Sequence, residues 1–277
     1  MKKIWCICVL CITVFVVVFF ARKRYCGSEN QKCNIDIING QADLLGFSNP
    51  VGLGESEILD LPGFENPAGL DQRSQIQNLV NILEVDNTIL IDLKYATTDN
   101  FTGMVLYDGI DCAYLQTDVA QMLANAHHYL KSLHPNLRLL VYDALRPLSV
   151  QRTMWEHVKN TPYHRYVAHP DRLSLHNFGA AVDLTIAGSL GQPLDMGTPF
   201  DHFGRAAGIS DEEGLISQGI LTRQQVQNRQ LLRQVMRHAG FRSISGEWWH
   251  FNACSLQEAK QRYELIDIPH SPSIHSE

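Results

Sequence analysis

Two short segments of the chain together contain two imidazoles and two carboxylates. One segment holds His176 and Asp183, and the other holds Glu247 and His250. A catalytic zinc site needs three protein ligands, a fourth position open to water, and a nearby base that does not bind the metal. His176, Asp183 and His250 meet the first requirement and Glu247 meets the last. The sequence therefore predicts one Zn²⁺ per chain at a site that activates water.

The spacing within each segment predicts how these side chains converge. In an unbroken strand, residues an odd number of positions apart point to opposite faces. His176 and Asp183 are an odd number apart, so the chain must bend between them, leaving Asp183 on a strand and His176 on the approach to it. Glu247 and His250 are also an odd number of positions apart. We therefore expect Glu247 in a loop and His250 on the strand that follows.

Each of these residues also has an ordinary structural interpretation. Most histidines are surface or hydrogen-bonded residues, so neither His176 nor His250 alone indicates a metal site. Asp183 is more informative, because it stands in the apolar run 181–186, where a carboxylate is costly unless it is paired or bound to metal. Glu247 precedes two tryptophans, which we expect to be core residues, and an apolar pocket would raise its pKa toward that of a proton shuttle.

Arg146 ends a predicted strand immediately before a proline. It has two interpretations: a structural ion pair with Asp143, or a cation that stabilises the oxyanion formed when water attacks a carbonyl. Other catalytic templates are absent from the sequence, which has no Gly-x-Ser-x-Gly, no phosphate-binding glycine-rich loop and no His-Glu-x-x-His.

The elements that must position these residues belong to one predicted domain, 76–268. Strands are predicted at 88–95, 137–142, 181–186 and 248–252, and helices at 118–133, at 149–159 with Ser149 as the N-cap, and from a Thr222–Gln225 capping box to Gly240. Helices and strands are interspersed and the last strands are short. This pattern predicts an α+β fold with a central, largely antiparallel sheet flanked by helices, and a zinc site on the sheet.

The composition limits the class of partner. The chain has 277 residues, is 45% hydrophobic and carries a formal net charge of -6. An ample core is therefore expected. No nucleic-acid partner is expected, because phosphate binding depends on clustered Lys and Arg. A small molecule or peptide is the natural partner, and the oligomeric state stays open.

The segment 1–26 predicts a membrane anchor or a signal segment. An uncharged run, 4–21, has Lys2 and Lys3 before it and three basic residues after it. As a helix it would reach roughly 27 Å, close to a hydrocarbon core of about 30 Å. The poor cleavage site favours an uncleaved anchor. The flanking charges balance and do not set the orientation, but we expect the catalytic domain in the periplasm or outside the membrane.

Two further segments complete the predicted organisation. Residues 27–75 are rich in Gly, Asn and Pro and predict an irregular tether, and 269–277 predict a loose tail. The cysteines beyond the N-terminal run are even in number, which is compatible with export and one or two disulfides, or with free thiols. These cysteines are Cys26, Cys33, Cys112 and Cys254.

The chain resembles the zinc D-alanyl-D-alanine dipeptidases. These belong to a wider group with D-alanyl-D-alanine carboxypeptidases, peptidoglycan endopeptidases and hedgehog-like domains. The shared pattern is Ser-x-His-x-x-Gly-x-Ala-x-Asp followed by Glu-x-x-His, met here by 174–183 and 247–250. The segments that resemble the dipeptidase branch are 92–97, 99–103, 142–147 and 195–201.

The resemblance implies a role for each candidate residue. It implies zinc on His176, Asp183 and His250. It implies Glu247 as general base and acid and Arg146 as transition-state stabiliser. The positions that it places near the substrate pocket are Ser174, Asp143 and Asp201. The implied substrate is the free dipeptide D-alanyl-D-alanine, held in a small closed pocket.

Two alternatives stay open. The first is a D,D-carboxypeptidase or endopeptidase that acts on peptidoglycan peptides, which a membrane anchor would suit. The second is a non-catalytic, zinc-stabilised binding domain of the hedgehog-like kind. The presence of both Glu247 and Arg146 speaks against the second, because a structural zinc site needs neither a base nor an oxyanion cation.

Overall fold

The computed structural model describes residues 78–107 and 109–268. The predicted anchor, tether and tail all lie outside these residues. No helix within the described part is long and apolar enough to cross a membrane.

A five-stranded sheet forms the centre of the described fold, beside a two-stranded one. The strands are β1 (Leu79–Asn81), β2 (Leu90–Ile91), β3 (Tyr114–Gln116), β4 (Arg138–Asp143), β5 (Ala181–Ala187), β6 (Arg242–Ser243) and β7 (His250–Asn252). The large sheet has the order β2-β4-β5-β7-β6. Its β2–β4 pair is parallel, and its other neighbouring pairs are antiparallel. The predicted α+β fold with a largely antiparallel sheet is confirmed.

Helices flank this sheet. They are α1 (Ile82–Val85), α2 (Thr117–Leu133), α3 (Leu148–Val158), α4 (Glu212–Ser217), α5 (Arg223–His238) and α6 (Leu256–Arg262). The predicted helix at 118–133 is confirmed as α2, whose buried residues recur at helical spacing and which packs against α5 and β4. The Thr222–Gln225 capping box of α5 is also confirmed, and Gly240 follows this helix at a φ of 94°.

Two predictions about element boundaries are wrong. The strand predicted at 88–95 is only β2, because the chain turns into a 3₁₀ helix at Lys94–Ala96 that buries Tyr95. Ser149 does not cap α3, because Pro147 occupies the N-cap and the helix begins at Leu148. The Ser149 hydroxyl donates instead to the backbone carbonyl of Ile268.

The core surrounds the middle of the large sheet. Every residue of β5 is buried, as are all residues of β4 except the first. The sheet is therefore covered on both faces where the candidate ligand Asp183 lies. Among the described cysteines, Cys254 is a buried free thiol and Cys112 is disulfide-bonded.

Candidate active site

The sheet brings two of the predicted ligands face to face. β5 and β7 are antiparallel neighbours, and their register places Asp183 directly opposite His250. His176 lies on a 3₁₀ helix, Leu175–Phe178, that leads into β5. The predicted placement is confirmed: Asp183 and His250 are on strands, His176 is on a bend, and Glu247 is in the loop before β7.

The bend after His176 depends on Gly179, which ends the 3₁₀ helix at a φ of 63°. A Cβ at this position would lie 2.9 Å from the Leu79 side chain and 3.3 Å from the Gln116 backbone nitrogen. Both the backbone conformation and the close approach therefore require glycine.

The three ligand atoms form a compact triangle. His176 Nε2 lies 3.3 Å from Asp183 Oδ1 and 3.2 Å from His250 Nδ1. His250 Nδ1 lies 2.9 Å from Asp183 Oδ1. Tetrahedral geometry with zinc–ligand bonds of about 2.0–2.1 Å places neighbouring ligands about 3.3 Å apart. The triangle therefore has nearly the size of one face of a zinc coordination tetrahedron.

The outer nitrogens of the two imidazoles already have partners. His176 Nδ1 lies 2.6 Å from the Ala144 carbonyl oxygen, and His250 Nε2 lies 2.8 Å from Asn252 Oδ1. Since both partners are acceptors, the outer nitrogens carry the protons and the inner nitrogens present lone pairs. These lone pairs and the Asp183 oxygen face one another, an arrangement that a cation between them stabilises.

Asp183 is buried beside a fixed cation. Burial alone would raise the pKa of its carboxyl group, but its Oδ2 lies 3.4 Å from Arg146 Nη2, and a neighbouring positive charge favours the carboxylate form. Two imidazoles and one carboxylate are a donor set that zinc favours, so these residues fit the predicted ion.

The ligands line a cavity of about 400 Å³ together with most of the other predicted site residues. The predicted residues in its wall are Arg146, Ser174, Asp201 and Glu247. Asp143 is not in the wall, because it is fully buried behind Arg146. Trp248 and Trp249 are both buried, as predicted, although Trp249 also forms part of the cavity wall.

Glu247 has the pKa of a proton shuttle. Burial raises the pKa of its carboxyl group to about 7, and Asp183 and Asp201 add to the rise while His250 opposes it. A group with a pKa near the working pH is well matched both to accepting and to donating a proton.

Arg146 forms the predicted ion pair with Asp143, and its role toward an oxyanion stays a prediction. Its Nε and Nη2 atoms donate to Asp143 Oδ2 at 2.9 Å and 2.6 Å, and its Nη1 donates to Gln151 Oε1 at 3.1 Å. Burial would lower the pKa of Arg146, but Asp143 above all raises it well beyond its ordinary value. The ion pair with Asp143 thus fixes a permanent cation in the cavity wall.

Asp201 is held in a strained conformation. Its φ of 58° lies in the left-handed region, which is uncommon for a residue other than glycine. The Tyr95 hydroxyl donates to both of its carboxylate oxygens, at 3.1 Å and 3.0 Å. Burial, with the Asp183 carboxylate nearby, raises the pKa of Asp201 to about 8. Arg146 and the Tyr95 hydroxyl oppose this rise without cancelling it.

Ser174 has a structural role as well as a place in the cavity wall. Its hydroxyl accepts a hydrogen bond from the backbone nitrogen of His176 at 3.3 Å, and its own backbone nitrogen donates to the Asn177 side chain at 2.7 Å. This capping box fixes the short helix that presents His176.

The sequence interpretation missed several residues that support the site. Asn252 had a usable signal, because it lies two positions after His250 and so on the same side of the strand. The local spacing of residues gave no signal for Tyr95, since its partner Asp201 is 106 positions away. Gln151, which bonds Arg146, and Tyr107, whose hydroxyl donates to Asp143, also lack a local signal.

Comparison with known proteins agrees with this geometry. A family model described as D-ala-D-ala dipeptidase matches residues 75–268. The D-alanyl-D-alanine dipeptidase of Escherichia coli strain K12 is 33% identical over 178 residues, which cover 64% of this chain and 86% of that protein.

Two further relatives carry the same name. The D-alanyl-D-alanine dipeptidase of Synechocystis is 30% identical over 176 residues, 53% of this chain and 71% of that protein. That of Enterococcus faecalis is 29% identical over 195 residues, 65% of this chain and 87% of that protein. The family match spans well over half of the chain. The chain therefore belongs to the D-ala-D-ala dipeptidase family of metallopeptidases, peptidase family M15.

Proposed function

We propose that this protein is a zinc-dependent dipeptidase that hydrolyses D-alanyl-D-alanine to two molecules of D-alanine. The observation that carries the proposal is one cavity that holds a zinc-sized ligand triangle, a carboxyl group with a pKa of about 7 and a fixed guanidinium. The names of the relatives support the choice of substrate.

His176, Asp183 and His250 would hold the zinc ion. A zinc ion bound there would lower the pKa of a coordinated water and polarise the scissile carbonyl. The outer hydrogen bonds to Ala144 and Asn252 keep both imidazoles in the tautomer that binds metal.

Glu247 moves the protons of the reaction. Its carboxylate takes a proton from the attacking water and gives it to the leaving amine, which a pKa of about 7 allows in both directions. Arg146 stabilises the negative charge that develops on the carbonyl oxygen. Asp143 and Gln151 hold its guanidinium in place beforehand, so little reorganisation is needed during the reaction.

Asp201 receives the ammonium group of the dipeptide. Burial raises its pKa to about 8, and Arg146 offsets this only in part, so an ammonium group bound beside Asp201 would stabilise its carboxylate form. A contact of this kind selects a substrate with a free amino terminus. A carboxypeptidase or endopeptidase acting on longer peptides would have no use for it.

The dipeptide is also favoured by the aromatic side of the cavity. Phe203 stacks on Tyr166 at a ring-centroid distance of 5.1 Å and lies at the same distance from Phe101. All three rings belong to cavity-lining residues. These rings restrict the space into which a longer peptide would extend.

We further propose that the catalytic domain is exported and attached to a membrane through the segment 1–26. The uncharged run 4–21 supports the attachment. The disulfide at Cys112 supports an oxidising location such as the periplasm or the outer surface.

The test is release of D-alanine by the purified full-length chain in detergent, loaded with zinc. We expect cleavage of free D-alanyl-D-alanine and little cleavage of the N-acetylated dipeptide or of a muropeptide that ends in D-alanyl-D-alanine. Cleavage of the muropeptide but not of the free dipeptide would identify a carboxypeptidase instead. If no D-alanyl substrate is cleaved and metal removal unfolds the protein, the binding-domain alternative is correct.

A further inference from the structure

Arg229 on α5 has a fully buried side chain that is not part of the cavity wall. Its guanidinium donates to backbone carbonyl oxygens of Met196 at 2.7 Å, Ala206 at 2.9 Å and Gly208 at 3.4 Å. These acceptors lie at the two ends of the loop 196–208. A single side chain therefore ties both ends of this loop to one helix.

The loop 196–208 carries Asp201 at its centre. A left-handed conformation at a residue other than glycine costs about 1–3 kcal/mol and persists only where the surroundings enforce it. The φ of Asp201 is 58°, so the loop needs firm anchors. Arg229 supplies them at both ends, and Asn228 adds one more by donating to the Asp195 carbonyl oxygen at 2.8 Å.

The same loop contacts the segment that carries Glu247. The backbone nitrogen of Ile209, just beyond the loop, donates to the Ser245 carbonyl oxygen at 3.0 Å. Within the loop, Thr198 Oγ1 accepts a hydrogen bond from Trp248 Nε1 at 2.8 Å. The anchored loop is thus hydrogen-bonded to the segment 245–248, which contains Glu247.

Packing alone would not select an arginine here. Burying a guanidinium is costly unless its donors are satisfied, and an apolar side chain of similar volume is often no less stable. The carboxylate of Glu212 lies 3.8 Å away, beyond hydrogen-bond distance, so backbone carbonyls of the loop are the hydrogen-bonding partners of the guanidinium. Its contacts are those of a clamp on the loop.

We propose that Arg229 is a positioning residue for substrate binding, which fixes the loop 196–208 so that Asp201 meets the ammonium group of the dipeptide. This inference rests on the proposed function. Arg229 contacts neither the ligand triangle nor Arg146. Its loss should therefore leave zinc content unchanged and raise KM more than it lowers kcat, because the loop reaches Glu247 only through the neighbouring Trp248.

The test compares Arg229→Lys with Arg233→Lys in the zinc-loaded full-length protein. Arg233 lies on the same helix and donates to Glu212 at 2.9 Å and 2.6 Å, so its replacement is a matched control. We expect Arg229→Lys to raise KM for D-alanyl-D-alanine about tenfold, the effect of losing one hydrogen bond to a charged group. Its zinc content should stay at the wild-type value, its kcat should change less than its KM, and Arg233→Lys should not change KM.

A double variant separates positioning from a general loss of stability. If Arg229 acts through Asp201, Arg229→Lys should raise KM no further in an Asp201→Asn background. Additive effects on KM would overturn the inference, as would an unchanged KM accompanied by a lower melting temperature. Should Arg229→Lys fail to fold, Asn228→Ala loosens the same loop more mildly and should raise KM in the same direction; an unchanged KM in this variant would overturn the inference.

Amide hydrogen exchange provides a measurement that does not depend on turnover. Exchange in the loop 196–208 should be faster in Arg229→Lys than in wild type, and unchanged in Arg233→Lys. An unchanged exchange rate in Arg229→Lys would overturn the positioning role even if the wild-type protein cleaves the dipeptide. Absence of cleavage by the wild-type protein would instead overturn the proposed function.

Discussion

Replacing Arg146 with methionine should reduce both stability and activity, for separate reasons. Asp143 is fully buried and would keep only the Tyr107 hydroxyl and the Ala144 backbone nitrogen as donors. Leaving a buried charge without its partner costs about 3–5 kcal/mol. At roughly 3 °C per kcal/mol for a domain of this size, the melting temperature should fall by about 10 °C.

The activity loss in Arg146→Met follows from the oxyanion role. Removing one preorganised donor to a developing oxyanion lowers kcat by about 10²–10³. The measurement is D-alanine release at saturating substrate, well below the lowered melting temperature and with zinc content verified. Arg146 Nη2 also lies 3.4 Å from Asp183 Oδ2, so its loss should weaken zinc binding as well, and the assay is therefore run with excess zinc.

The double variant Asp143→Asn/Arg146→Met separates the two effects. It removes both buried charges, so most of the lost stability should return. The kcat should stay low, because the cation is still missing. If activity returned together with stability, the oxyanion role of Arg146 would be refuted and its ion pair with Asp143 would be its whole function.

Three further predictions follow from individual contacts. Asn252→Ala should weaken zinc binding by about 10–100-fold, measured by competition with a chromophoric chelator, because it removes the amide that orients His250. Asp201→Asn should raise KM for D-alanyl-D-alanine at least about tenfold and change kcat less, because the ammonium group loses its charged partner. Burial lowers the pKa of His127 to about 4, against about 6.5 in the unfolded chain. As the pH falls, the unfolded state therefore binds a proton before the folded state does. The stability that neutral His127 contributes is complete above pH 6.5 and is lost as the pH falls toward 4, by at most about 3 kcal/mol. His127→Gln should make the unfolding free energy depend less on pH in this window.

Each of these predictions has a contradicting result. Unchanged zinc affinity in Asn252→Ala would mean that the amide does not orient His250. A loss confined to kcat in Asp201→Asn would place that carboxylate in the chemical step and not in substrate binding. If wild type and His127→Gln lose stability in parallel between pH 6.5 and pH 4, His127 is not the buried neutral group that its bonds to Leu139 and Thr88 indicate.

The convergence of the three candidate ligands could be predicted from the sequence because the constraints on these residues are local. Asp183 stands in an apolar strand, and the bend before it is encoded by a glycine three positions after His176. Whether two residues are an odd or an even number of positions apart then predicts which side of the strand each side chain faces.

Unlike Asn252, supporting residues such as Tyr95 and Arg229 could not be predicted, because they act across long stretches of chain. Tyr95 meets Asp201 over 106 positions, and Arg229 meets Met196 over 33. Neither contact leaves a periodicity in the sequence. The missed boundary at Ser149 has a similar cause, since its hydroxyl is engaged by Ile268, 119 positions away, and does not cap its own helix.

Zinc titration of the metal-free, full-length protein tests whether one bound zinc ion is required for hydrolysis. We predict that D-alanyl-D-alanine hydrolysis is lost on chelation and returns in proportion to added zinc, up to one equivalent per chain. In parallel, Glu247→Gln should bind the same single equivalent and show almost no turnover. Hydrolysis that survives chelation, or near-normal turnover by Glu247→Gln, would contradict the account.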